Sequence, residues 1–208
     1  MRKILWLLPL ILISLLCTSC IDYVQSVTYK DGKYQMYYKV TFSKVLFELA
    51  EENPEEILEL LDKDDFPKNA NVKPVNTDLE VGAEFSFSID PKTTDETEKA
   101  FLPTVSGQKY FFTFLSGEEN DLMTDSMKSD FETQKIAEAV LSFAKCRIII
   151  SKKIISSIDT AYFEGRAGQN YSIPVFDYGE TYCLEIPFIV LFGSSMYKLD
   201  KIVIVKNT

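Results

Sequence analysis

Thirteen consecutive residues, Ile4 to Leu16, carry no charge and are almost entirely Leu and Ile. This run decides which part of the chain can fold as a domain. A helix crossing the hydrocarbon core of a bilayer needs about 20 apolar residues. The run falls short of that, and Pro9 interrupts it. A globular surface helix keeps a polar face, which this run lacks. Met1-Arg2-Lys3 before it is positive, and Cys17-Thr18-Ser19 after it is small and polar. Positive, then apolar, then small is the order of a secretory signal peptide. The expectation is a leader over 1–19 that is removed, leaving one α+β ectodomain over 20–208 with a weaker break near 116–128.

An ordinary signal peptidase prefers an A-x-A-like site, and none precedes the break. Leu16-Cys17-Thr18-Ser19-Cys20 instead resembles the lipobox of bacterial lipoproteins, in the loosened form of spirochaete-type members. The usual Leu is replaced by Cys17, with Leu16 one place further out. The resemblance implies that the Cys20 sulfur receives a diacylglyceryl group and becomes the new N-terminus. Cys17 is the alternative acceptor, but bulky Leu15 and Leu16 precede it, which favours Cys20. Each buried methylene contributes about 0.8 kcal/mol, and two acyl chains hold a protein stably where one does not. The chain is thus expected on the exported side of a cell membrane or outer membrane, held by lipid. Tyr23 already begins a strand pattern, so the tether spans a residue or two and the domain sits against the bilayer.

Losing Arg2 and Lys3 with the leader takes the formal net charge from −9 to −11. Nucleic-acid binding needs cationic surface to displace counterions from phosphate, so that function class is excluded. Electrostatic attraction to anionic lipid is disfavoured too, which leaves the lipid to do the holding. Abundant Phe and Tyr favour a sheet-rich core.

Residues 21–43 form the clearest element. Ile21, Tyr23, Val27 and Tyr29 alternate with polar partners, Asp31-Gly32 supplies a hairpin turn, and Tyr34, Met36, Tyr38, Val40 and Phe42 resume the alternation. Ser43 caps a short helix to about Ala50, and Asn53-Pro54-Glu55-Glu56 opens a second, to about Leu61. Asn71–Val75 and Leu79–Asp90 read as a strand pair, and Lys109–Leu115 as an aromatic strand. Ser129-Asp130-Phe131-Glu132 is a capping box before a third helix carrying Ile136, Val140 and Phe143. Cys146–Ile150 is an apolar strand. Further strands follow, broken at Gly165, Gly168 and Gly179. Tyr182–Phe192 is long enough for a sheet centre, although Pro187 suggests a bulge or an edge. Ile202–Val205 closes the chain. The expected architecture is a mainly antiparallel sheet or β-sandwich with an N-terminal hairpin and about three helices.

The hairpin with its Asp31-Gly32 turn, the Ser43-capped helix and Asn53-Pro54-Glu55-Glu56-Ile57-Leu58 stand in a row over the first third of the mature chain. Together they resemble the family of bacterial lipoproteins typified by the mycobacterial LppM. That resemblance implies a β-rich ectodomain in contact with lipids. It assigns no functional residue.

The chain has no histidine. Ser-His-Asp and Cys-His catalysis and most catalytic zinc sites are therefore excluded. No glycine loop follows a phosphate-binding pattern. Asp62, Asp64 and Asp65, or Glu118, Glu119 and Asp121, lack EF-hand spacing and its glycine, so no metal and no cofactor are expected. Glu51, Glu52, Glu55, Glu56 and Glu59 read as a helix start and a wet face. Cys146 and Cys183 either close a disulfide, stabilising by roughly 4 kcal/mol over a loop of about 37 residues, or are two separate buried thiols. Tyr34, Tyr37, Tyr38, Tyr110, Phe111, Phe112, Tyr162, Phe163, Tyr171 and Tyr178 exceed what one sheet face can bury. They imply either two packed layers or a binding face. Two function classes remain. One is a non-catalytic binding or assembly module for lipid, glycan or an envelope protein. The other is an envelope hydrolase using two carboxylates or Ser151 with Lys152 or Lys153.

Overall fold

Alternation along residues 21–43 produces the hairpin it calls for. Strands β1 (Ile21–Lys30) and β2 (Lys33–Ser43) pair antiparallel in unbroken register from Ile21 opposite Phe42 to Lys30 opposite Lys33. Asp31 (φ 54°) and Gly32 (φ 80°) are both left-handed, as the two-residue turn that matches strand twist requires. The computed structural model describes residues 21–50, 53–54, 69–93, 99–113, 144–165, 168–188, 190 and 197–207.

Ten further strands follow: β3 (Asn71–Asn76), β4 (Glu80–Ile89), β5 (Thr104–Ser106), β6 (Lys109–Thr113), β7 (Lys145–Ser151), β8 (Thr160–Gly165), β9 (Tyr171–Ile173), β10 (Val175–Asp177), β11 (Thr181–Pro187) and β12 (Tyr197–Val205). Helix α1 (Lys44–Ala50) leaves the end of β2. A seven-stranded sheet runs β10-β11-β7-β1-β2-β4-β3, and a five-stranded sheet runs β5-β6-β12-β8-β9. Every pairing is antiparallel except β1 with β7. The first described strand, β1, is therefore the central strand of the larger sheet.

One face of each sheet is apolar, and the two faces share one core. In the larger sheet Ile150, Val27, Met36 and Phe87 form one cross-strand row, all at most 5% exposed. The smaller sheet answers with Phe112, Ile202, Ile204, Ala161, Phe163 and Ile173. This is a two-layer β-rich sandwich. Ile155, from the turn after β7, is fully buried between them.

Three expectations need correction. About three helices are not borne out: among the described residues α1 is the one helix with assigned bounds, while residues 55–68, after Pro54, and the segment opening at Ser129 lie outside the described residues. The strand expected over Tyr182–Phe192 runs Thr181–Pro187. β11 ends at Pro187, opposite Lys145, and stands next to the edge strand β10. Proline has no N–H for the ladder, and the Phe188 N–H instead donates to the Ala144 carbonyl at 2.9 Å. The last strand begins at Tyr197 and not at Ile202, with its register to β8 shifting between Lys198 and Val203.

Candidate functional site

The outward face of the larger sheet divides into two chemically different halves. Nearest Ile21 it is charged. Asp22 meets Lys39 and Arg147, each at 3.4 Å, and Lys39 also meets Glu80 at 3.4 Å. Lys145 and Glu185 pair at 2.6 Å. These contacts span five adjacent strands, β11 to β4. Burial pulls the Lys39 ammonium down, but Glu80 and Asp22 beside it outweigh this and hold it above the usual lysine value. Such partly exposed pairs contribute about 0–1 kcal/mol each. Their stronger role is to fix register, since a one-residue slip would place every charge in the core.

Beyond this ladder, toward the Asp31-Gly32 turn, the same face becomes neutral. Two cross-strand rows lie side by side, Ser26, Tyr37, Ser86 and Asn71 in one, and Thr28, Gln35 and Ser88 in the other. Small residues on β1 and β4 flank the long Tyr37 and Gln35 of β2. An open trough of about 370 Å³ results, lined by Ser26, Thr28, Gln35, Met36, Tyr37, Asn69, Ser86, Phe87 and Ser88. Asn69 is pinned to its rim by donating Nδ2–H to the Ser88 carbonyl at 2.7 Å. Burial, then the Glu84 carboxylate that its hydroxyl bonds, pushes the Tyr37 phenol above its usual value. It therefore stays a protonated donor at neutral pH. A smaller recess of about 60 Å³ lies against Tyr37, Asn71, Lys73, Glu84, Phe85 and Ser86.

Its Ser, Thr, Gln and Asn side chains offer hydroxyls and amides and Tyr37 an aromatic ring, so the trough can exchange hydrogen bonds with an uncharged polar ligand and stack against it. Sequence reasoning singled out Tyr37 but passed over its neighbours. Ser and Thr in alternate strand positions read as ordinary solvated residues until register places them in rows.

Comparison with protein-family models, curated proteins and solved structures gives no match. The resemblance to LppM-like lipoproteins therefore stands on the quoted residues alone.

The remaining sequence candidates separate cleanly. Cys20 lies outside the described residues, and the structure begins at Ile21, its immediate neighbour. Cys146 and Cys183 are both free and buried. Cys146 is opposite Ile186 and Cys183 opposite Ile149, three ladder positions apart. An odd offset sends the two side chains to opposite faces of the sheet, so these are two separate thiols. Burial pushes the Cys146 thiol far above its usual value, and burial with Glu185 nearby raises that of Cys183.

Ser151 and Lys152 do not form a nucleophile and base. Ser151 Oγ accepts the Lys153 backbone N–H at 3.2 Å as part of a turn. The Lys152 ammonium donates to both Asp177 carboxylate oxygens, at 2.7 and 2.8 Å, and lies 4.7 Å from the Tyr182 ring centre. Asp177 raises its pKa, the opposite of what a general base needs. The acidic clusters at 51–59, 62–65 and 118–121 lie outside the described residues. Among the described residues no group of three or more His, Cys, Asp or Glu is gathered to hold a metal.

The aromatic surplus is mostly core. Tyr38, Phe112 and Phe163 are buried, and Tyr34, Tyr110 and Tyr171 pack against them. Tyr178 stays 66% exposed, and Phe176, which the sequence reading passed over, 42%.

Proposed function

We propose that this protein is a lipid-anchored, non-catalytic binding lipoprotein of a bacterial envelope, with its outer-face trough taking a neutral glycan-like chain. The observation that carries the reading is the division of that face into a charged half beside Ile21 and a neutral hydroxyl- and amide-lined half away from it. A lipid on Cys20 puts the charged half next to the membrane and turns the trough away from it. A polyhydroxylated chain matches a wall of donors and acceptors without charge, and Tyr37 supplies a stacking edge.

The hydrolase reading has less support. Lys152 is committed to Asp177, and Asp22, Glu80 and Glu185 are committed to cations. An envelope protein partner would instead use the exposed Phe176 and Tyr178.

Detergent-solubilised full-length protein, screened against uncharged envelope glycans, tests the ligand class. Binding is expected, and Ser86→Arg, which fills the trough, should abolish it with the melting temperature unchanged. Equal binding by the Ser86→Arg protein, or no binding by the parent, contradicts the assignment.

A further inference from the structure

The most exposed large apolar side chain among the described residues is Leu79, at 73%. It sits in the turn between β3 and β4, and that turn is fixed. Thr77 N–H donates to the Glu80 carbonyl at 2.9 Å, while Thr77 Oγ1 accepts the N–H groups of Leu79 and Glu80 at 3.3 and 3.0 Å. The side chain is thus presented outward by a closed hydrogen-bonded loop and is not a frayed end. The Leu79 carbonyl accepts the Lys44 N–H at 2.9 Å, which ties the start of α1 to the same turn. The next residue, Val45, is 46% exposed. Leu79 and Val45 therefore occupy one edge, contributed by two different connections.

That edge is where the chain enters the domain. Ile21 is opposite Phe42, and Ser43 is opposite Glu80. Ile21, the residue after Cys20, thus lies in the same row as Phe42 and Val81, two strands from β4, or about 10 Å at the usual strand spacing. Leu79 lies one residue further out than Glu80. Diacylglycerol on Cys20 would bring the headgroup region to this edge with no spacer between them.

We infer that Leu79 and Val45 form an apolar rim that dips into the bilayer interface beside the acylated Cys20, orienting the sandwich with its Asp31-Gly32 turn pointing away. The inference rests on the lipoprotein reading and adds a second, noncovalent membrane contact to it. A lone acyl anchor lets a domain swivel. A second contact about 10 Å away removes that freedom and keeps the neutral trough facing outward. Tyr178, in the turn between β10 and β11, lies at the opposite end of the same sheet, since Thr181 pairs with Ser151 at the far end of β7. It serves as the distal reference.

Trp6, the sole tryptophan, is in the leader, so the cleaved protein has none and a single introduced tryptophan reports alone. Lipidated full-length Leu79→Trp and Tyr178→Trp proteins are purified from membranes and reconstituted in phosphatidylcholine vesicles with and without brominated acyl chains. Both should float with the vesicles. The Leu79→Trp emission should shift to the blue and lose most of its intensity to brominated lipid, while that of Tyr178→Trp does neither. Flotation with a water-exposed, unquenched Leu79→Trp signal overturns the rim and leaves the anchor standing. Failure of both proteins to float overturns the anchor, and the rim with it.

Discussion

Gly82 shows how a single residue holds the centre of the larger sheet. Its φ is +155°, and a Cβ built there would lie 2.1 Å from the Val40 carbonyl oxygen and 2.8 Å from the Thr41 Cα, both backbone atoms. Neither can yield without breaking the β2–β4 ladder. Gly82→Ala is expected to cost about 3 kcal/mol, combining a sparsely populated conformation with a backbone clash. A urea midpoint at the parent value would contradict this. The two thiols make a second residue-scale prediction. Buried and held protonated, Cys146 should resist alkylation in the folded protein, because the thiolate is the reactive form. Denaturation in iodoacetamide without reductant should add two carbamidomethyl groups across Cys146 and Cys183. An unmodified, disulfide-linked peptide pair would refute the register that separates them. In the sequence the pairing question was open, because it turns on an odd or even ladder offset that spacing alone does not contain.

At the scale of elements, legibility followed local periodicity. The β1–β2 hairpin, β4, β6 and β7 carry alternation or a dense apolar run, and each stands close to where the pattern puts it. β5 is three exposed residues joined to β6 through Gly107, too short for any period to register. The beginning of β12 is hidden because Asp200 and Lys201 interrupt its apolar run, where the register to β8 shifts. The order of strands, and the parallel β1–β7 pair in particular, depends on contacts far apart in sequence that no local signal encodes. The trough was illegible for the same reason: Ser26, Tyr37 and Ser86 become neighbours only once three strands are in register. Within the core, Leu184 is fully buried on β11 opposite Ile148. Leu184→Ala should cost about 3 kcal/mol, read as a lower denaturant midpoint with an unchanged slope. The turn after β10 carries a pH signature. The Lys152 hydrogen bond, then the Gly179 N–H, lowers the Asp177 pKa below 3.8. A depressed folded value means the contribution is present above about pH 3.8 and lost as pH falls through the folded value. The stability gap between parent and Asp177→Asn should therefore be constant near neutrality and close below pH 3.8. A gap that persists to lower pH would contradict the pairing.

For the whole molecule, one topological fact organises the account. The residue after Cys20 opens the central strand of the seven-stranded sheet. A lipid on Cys20, as proposed, would pass any load directly into β1, which has β7 on one side and β2 on the other. Among the described residues no helix is long and apolar enough to cross a membrane, and the acidic balance of the chain does not favour anionic lipid. In the proposed reading, attachment falls to Cys20, with Leu79 and Val45 setting the tilt. The most direct test is membrane fractionation of cells producing the parent or Cys20→Ser protein, with mass spectrometry of the N-terminal peptide. The account predicts a parent protein in the membrane pellet whose mature N-terminus is a diacylglyceryl-modified Cys20, and a Cys20→Ser protein that leaves that pellet. Membrane retention of Cys20→Ser at the parent level, or an unmodified Cys20 in the parent, would contradict it.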